Sequence, residues 1–288
     1  MRLKPQCVIC LLRWVYGRGS VASGEVSRFK IVGRLLAEAS AHLTAGENVA
    51  SVSNKLVRSI YDIVGDTARL YYQNLKRACN ENAAKLLDSA KEYINREPTT
   101  QLRLEKACWI ASAGNVAPIG IPFHGFVFNE VKDVLVERLI PFVKGNVFDT
   151  LRGARNVLYV TDNAGEIGFD SLLISQLKEM GCRVALLVKE PMFFEDASME
   201  DIRFFGLDKL VNSVLTVEGI FVPKEATPAL SDALEATDMV IAKGTGNYEA
   251  LKGELDDKPV IYMLKVKCAP IAASTGIDME RFVIIVDK

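Results

Sequence analysis

The chain has 288 residues, 49% hydrophobic and 25% charged, enough for a full core and two domains. Lysine and arginine number 35 against 36 aspartates and glutamates, a net charge of −1, so no basic field invites nucleic acid or an anionic membrane. No apolar run approaches the roughly 18 residues of a membrane-spanning helix, and six scattered cysteines do not make a disulfide scaffold.

The apolar run from Cys7 to Tyr16 follows Arg2 and Lys4, but Arg13 interrupts it and no small-residue cleavage site follows. A buried N-terminal segment of a cytoplasmic protein is expected. Cys7 and Cys10 have ligand-like C-x-x-C spacing, yet neither His42 nor His124 supplies a second pair of ligands. A metal or redox role and two small buried residues at a helix start are both left open.

Residues 1–145 read as a helical domain. Val26, Phe29, Val32, Leu35, Leu36 and Ala39 recur at helical spacing. So do Leu70, Leu75, Ala78, Ala83, Leu86, Leu87, Ala90 and Ile94, with Asp66 expected as the cap and Pro98 beyond the end. A third helix is expected over 99–113. Glycines and prolines make 111–128 an irregular linker, and a helix is expected over 129–142.

Residues 146–288 read as an α/β domain. Strands are expected at 156–161, 183–188, 213–217, 238–242, 259–264 and 282–286, as near-continuous apolar runs with helical segments between several of them. One such helix runs from Ile167 to Met180, with Gly181 closing it. The expected fold class is α/β: a mostly parallel sheet with helices on both faces, a Rossmann-like three-layer sandwich, plus the N-terminal helical domain.

Chemistry-bearing residues follow the strands. Asp162-Asn163-Ala164-Gly165-Glu166 follow the first, and Asp196 lies in the loop after the second. Lys243-Gly244-Thr245-Gly246-Asn247-Tyr248-Glu249 and Lys265-Val266-Lys267-Cys268 follow two later strands. Parallel strands deliver these loops to one edge, where ligands of open α/β sheets bind. Carboxylate and amide oxygens suit magnesium, and lysines and glycine-rich turns suit phosphate. Asp162 and Asn163 also have a purely structural reading as a helix cap, as does Asp196 before Met199. The glycine spacing fails the dinucleotide fingerprint, and no P-loop or G-x-S-x-G occurs.

These motifs, in order, resemble the metal-dependent damage-control phosphatase family, long catalogued as a domain of unknown function, some of whose members have been described as protein carboxyl methyltransferases. R-L-K-P-Q-C-V-I-C at the N-terminus, Leu75-Lys76, Asn80 and Gly114-Asn115 resemble its microbial subgroup. The resemblance implies that Asp162, Asn163 and Asp196 hold a divalent metal (magnesium or manganese, with cobalt or nickel as alternatives). It implies that Lys267 meets the substrate phosphate, that Asn247 and Glu249 lie near it, and that Asn115 arrives from the helical side. Gly165 backbone and Lys243 are added as phosphate contacts. Asp162, Asn163 and Lys267 form the expected catalytic set.

The chain departs from the family at Glu195, where asparagine is usual, at Ala117-Pro118, where an aspartate is expected, and at Asp66-Thr67-Ala68, where Asp-Pro-Tyr is expected.

The expected function is hydrolysis of small-metabolite phosphate esters (sugar phosphates or damaged phosphometabolites) by metal-activated water. The partner is a small phosphorylated metabolite; neither nucleic acid nor membrane is expected, and homo-oligomerisation is left open. Two alternatives stand: an S-adenosylmethionine-dependent protein carboxyl methyltransferase, and a non-catalytic sensor of phosphorylated metabolites.

Overall fold

Seven strands form one sheet in the order β1-β7-β6-β5-β2-β3-β4. They are β1 Phe142–Lys144, β2 Asn156–Val160, β3 Arg183–Lys189, β4 Ser213–Val217, β5 Met239–Lys243, β6 Val260–Lys265 and β7 Phe282–Asp287. All pairings are parallel except β6 with β7, which is antiparallel. The computed structural model describes residues 1–21, 23–44, 46–117, 125–255 and 257–287. The central strands are apolar on both faces because helices cover both; every residue of β5 is buried.

The six strands expected from sequence form within a residue or two of their expected bounds. The sequence pattern does not reveal β1, a three-residue edge strand in the stretch assigned to a helix over 129–142. That helix, α6, spans only Asn129–Leu135, and Glu137 just beyond it has a φ of 57°, outside helical conformation. Pro141 then favours extended backbone at the residue before it.

The N-terminal helices are α1 Pro5–Gly19, α2 Glu25–His42, α3 Val49–Ser59, α4 Asp66–Asn95 and α5 Thr100–Ala113. Thr99 caps α5 by accepting from the Leu102 amide at 3.2 Å. The expected Asp66 cap is not formed: Gly65 is the capping position and Asp66 is the first helical residue.

Two apolar stripes need correction. On α2 it is Ile31, Leu35 and Ala39 that are buried, while Val26 and Phe29 are each 71% exposed. The helix packs on α1 and α3 through a face rotated from the one expected, because spacings of three and four both read as apolar there. Leu70 of α4 is likewise exposed.

The helices following the site strands are α8 Glu166–Glu179 and α12 Gly244–Leu251, and the short α9 Met199–Phe204 follows the β3 loop; α7 Val147–Gly153, α10 Leu207–Leu210, α11 Pro228–Glu235 and α13 Ala269–Thr275 lie elsewhere around the sheet. Helix α4 packs on α8, and α5 lies against α8, β6 and β7. Between β2 and β5 the chain order of the sheet reverses, which opens a crevice at the carboxyl ends of these strands.

Candidate active site

Strand β2 ends at that crevice and delivers Asp162 and Asn163. The loop 190–198 after β3 folds back along them. The Ala197 amide donates to the Asp162 carbonyl at 2.8 Å, and the Ala164 amide to the Glu195 carbonyl at 2.9 Å. Asn163 and Asp196 are therefore bridge partners, and residues distant in sequence share one corner.

Neither Asp162-Asn163 nor Asp196 serves as a helix cap. Gly165 occupies the capping position of α8, and Ser198 caps α9 in a reciprocal pair with Asp201. The carboxylates are thus left for other work.

The Asn163 Nδ2 donates to Asp162 Oδ2 at 2.7 Å and to Glu166 Oε2 at 3.2 Å. Buried Asn115 donates to Asp162 Oδ2 at 2.8 Å and to both Glu166 oxygens, and its Oδ1 accepts the Lys265 amide at 3.2 Å. Asn115 therefore orients the carboxylates from behind. These bonds consume Asp162 Oδ2 and the Asn163 amide hydrogens, leaving Asp162 Oδ1 and Asn163 Oδ1 free of described hydrogen bonds. Asp196 uses Oδ2 for Lys189 at 3.1 Å, and its Oδ1 takes no hydrogen bond among the described residues.

Burial pushes the Asp162 carboxyl above its ordinary range, and the neighbouring Glu166 charge adds to this against the pull of Lys189 and Lys267. Burial likewise drives Asp196 up to about 7, opposed mainly by Lys189. Two carboxylates and an amide oxygen form a hard oxygen donor set, which fits a magnesium-class cation with positions left for water and phosphate. Among the described residues, no three His, Cys, Asp or Glu side chains gather as a metal cluster; the set here needs the amide.

Other expected site residues take different places. Lys267 lines the cavity, donates to the Ala117 carbonyl at 2.6 Å, and is held below its ordinary pKa by burial, against the pull of Asp162. Asn247 lines it too. Its Nδ2 donates to the Thr161 and Lys243 carbonyls at 2.9 and 2.7 Å, and its buried Oδ1 has no partner among the described residues. Glu249 lines the cavity, and burial raises its carboxyl to about 7.

Lys243 does not reach the cavity. It is fully buried, paired with Glu166 at 2.7 Å and with Asp170, and donates to the Ala111 carbonyl at 2.8 Å. Burial alone would raise the Glu166 carboxyl, but Lys243 outweighs that and holds it low. The Gly165 N–H is also committed: it donates to Asn80 Oδ1 at 2.7 Å, so it does not cradle phosphate. Gly165 has a φ of 74°, and a Cβ there would meet the Cys79 carbonyl at 2.7 Å. His124 and Pro118 lie outside the described residues.

Two participants were not singled out from sequence. Lys189 is buried at the end of β3, bonded to Asp196 and to the Thr161 carbonyl at 2.7 Å. Arg18 is 2% exposed and clamps Glu195, its Nε lying 2.8 and 3.1 Å from the two carboxylate oxygens. A signal existed for each. Lys189 ends an apolar strand as Lys243 does, and Arg18 stands on one helical face with Cys7, Leu11 and Trp14. Glu195 supplies the carboxylate of this clamp.

These residues surround a cavity of about 350 Å³. Cys7, Cys10 and Cys268 are free cysteines on its wall.

A family model described as "Damage-control phosphatase ARMT1-like domain" matches residues 3–282. A protein named damage-control phosphatase from Archaeoglobus fulgidus is 29% identical over 291 residues, 98% of each chain. Another from Pyrococcus horikoshii is 27% identical, covering 100% of this chain and 99% of that one. An uncharacterized protein of Methanocaldococcus jannaschii is 28% identical over 99% of this chain and 95% of its own. The crystal structure of a DUF89 family protein from Pyrococcus horikoshii superposes with a TM-score of 0.82 at 25% identity, with both chains fully covered.

Proposed function

The chain belongs to the damage-control phosphatase ARMT1-like family, and from that premise we propose that it hydrolyses phosphate monoesters of small metabolites with a divalent cation held by Asp162, Asn163 and Asp196. The observation that carries this reading is the pairing of loop 190–198 with residues 162–164, which gathers spare carboxylate and amide oxygens beside two lysines on the wall of a cavity. Relatives named damage-control phosphatases support the reaction class.

A bound cation supplies a Lewis acid for a phosphate oxygen and neutralises charge as the ester breaks. The chain's own groups do the rest. Lys267 and Lys189 stand on the cavity wall as further positive charge for the phosphate. Asn247, fixed by its two donated bonds, offers Oδ1 as an acceptor that orients the attacking water or a substrate hydroxyl. Water adds to phosphorus and releases a proton to solvent, the P–O ester bond breaks, and the alcohol leaves with a proton from solvent. Asn115 and Glu166 keep Asp162 and Asn163 in place behind the reacting groups.

Phosphate release from a panel of metabolite phosphates tests this, with chelated protein resupplied separately with magnesium, manganese, cobalt or nickel. Release that depends on added metal is expected. Release from every ester unaffected by chelation would remove the cation from the account, and transfer of a methyl group from S-adenosylmethionine without release would replace the reaction class.

A further inference from the structure

Resting on the reading of Asp162, Asn163 and Asp196 as one metal site, we propose that Lys76 and Asn80 of helix α4 are positioning residues for it. They hold the two loops that carry the ligands at a fixed separation. Asp162 and Asn163 follow β2 and lead into α8, whereas Asp196 follows β3 and leads into α9. A cation shared by two loops needs their relative placement set, because such a site tolerates only about 0.5 Å of error. The Ala164 and Ala197 amides fix one side of this placement, bonding loop to loop. Helix α4 grips the other side, where each loop enters its helix.

The grip has two arms, one helical turn apart. Asn80 Oδ1 accepts the Gly165 N–H at 2.7 Å, just past Asn163, and its Nδ2 donates to Asp201 Oδ1 at 2.8 Å. One side-chain amide thus ties the start of α8 to the first turn of α9. Lys76 lies a turn earlier on the same helical face. It donates to Ser198 Oγ at 2.6 Å, just past Asp196, and pairs with Asp201 Oδ2 at 2.8 Å. Asp201 passes this hold to the loop, since its Oδ2 also accepts the Ser198 N–H at 2.8 Å. Lys76, Asn80, Ser198 and Asp201 are all buried, so water does not compete for these bonds. The Cys79 carbonyl excludes a Cβ at Gly165, so the backbone of α4 meets the first loop without slack. Apolar side chains would serve packing alone at least as well as a buried ion pair. Directional, charge-assisted bonds fix geometry instead. Neither Lys76 nor Asn80 lines the cavity, so they act on the metal corner through the loops.

The test compares Asn80→Ala and Lys76→Met with Ala90→Gly, a buried site about 15 Å further along α4. Amide hydrogen exchange on the full, metal-free chain reports on the loops themselves. Segments 162–166 and 190–198 are expected to exchange about tenfold or more faster in Asn80→Ala and Lys76→Met, and within about twofold of wild type in Ala90→Gly. Manganese affinity, measured by calorimetry, is expected to fall about tenfold or more in the same two variants and to hold within about twofold in Ala90→Gly. Should Lys76→Met fail to fold, Lys76→Met combined with Asp201→Asn removes the stranded charge and still lacks the ion pair. Wild-type exchange of both segments in the folded variants would overturn the inference. So would faster exchange with manganese affinity unchanged, since the loops would then find the ion without α4. A wild-type chain that binds no manganese and releases no phosphate from benzyl phosphate, a plain monoester, would sink the phosphatase reading instead. The exchange rates would still decide whether α4 sets the two loops.

Discussion

Gly244 lies against Asp162 so closely that a Cβ built on it would sit 1.9 Å from Asp162 Oδ2. Its φ of 81° is also one that other residues rarely adopt. The glycine that follows β5 is therefore fixed by the carboxylate that follows β2, and the two neighbouring strands meet at the candidate site. Gly244→Ala is predicted to displace Asp162 and lower metal-dependent phosphate release by roughly a hundredfold or more. Circular dichroism should show a folded protein. Wild-type turnover in a folded Gly244→Ala would mean that this contact does not set the carboxylate.

Lys243 and Lys267 look alike in sequence, as lysines after apolar strands, yet their surroundings give them different duties. Replacing Lys243 by methionine leaves Glu166 and Asp170 buried without their cation, so unfolding stability in urea should fall by roughly 3–5 kcal/mol. Replacing Lys267 by methionine should change stability by about 1 kcal/mol or less and activity by roughly a hundredfold. The reverse pattern would exchange their roles.

The Arg18–Glu195 clamp gives a thermodynamic cycle. Each of Arg18→Met and Glu195→Gln strands a buried partner and should cost on the order of 3 kcal/mol. The double variant should cost clearly less than the sum, with a coupling of roughly 1–3 kcal/mol. Additive losses, read from urea titrations of all four proteins, would show that the two side chains act independently.

Glu249 predicts a pH signature. Its carboxyl is raised by burial from the ordinary 4.5 to about 7, so between these values the folded chain holds a proton that the unfolded chain releases. Stability from this group is present below the unfolded pKa and lost as pH rises toward 7. The loss amounts to roughly 3 kcal/mol across that window. Glu249→Gln, neutral throughout, should lose less stability than wild type between pH 5 and 8. Parallel curves would show that Glu249 titrates normally.

The strands were legible because burial on both faces writes them as unbroken apolar runs, and the residues just past them were legible for the same reason. What those residues touch was not. Lys243 and Lys267 occupy similar sequence positions, and only the packing of α5 and α8 against the sheet decides that one turns inward to Asp170. Gly165 reads as a phosphate turn until Asn80, 85 positions earlier, takes its N–H. The α2 stripe failed because Val26 and Phe29 share the helical period with the truly buried Ile31 and Leu35. Arg18 and Glu195, 177 positions apart, meet through a fold-back that no local pattern encodes.

The most direct measurement is calorimetric titration of manganese into chelated wild-type protein and into the Asp162→Ala and Asp196→Ala variants, paired with phosphate release from benzyl phosphate. Wild type is expected to bind one ion, each variant to bind it about a hundredfold or more weakly, and release to fall in step. Unchanged manganese affinity and wild-type release in the folded variants would contradict the assignment of this corner as the metal site.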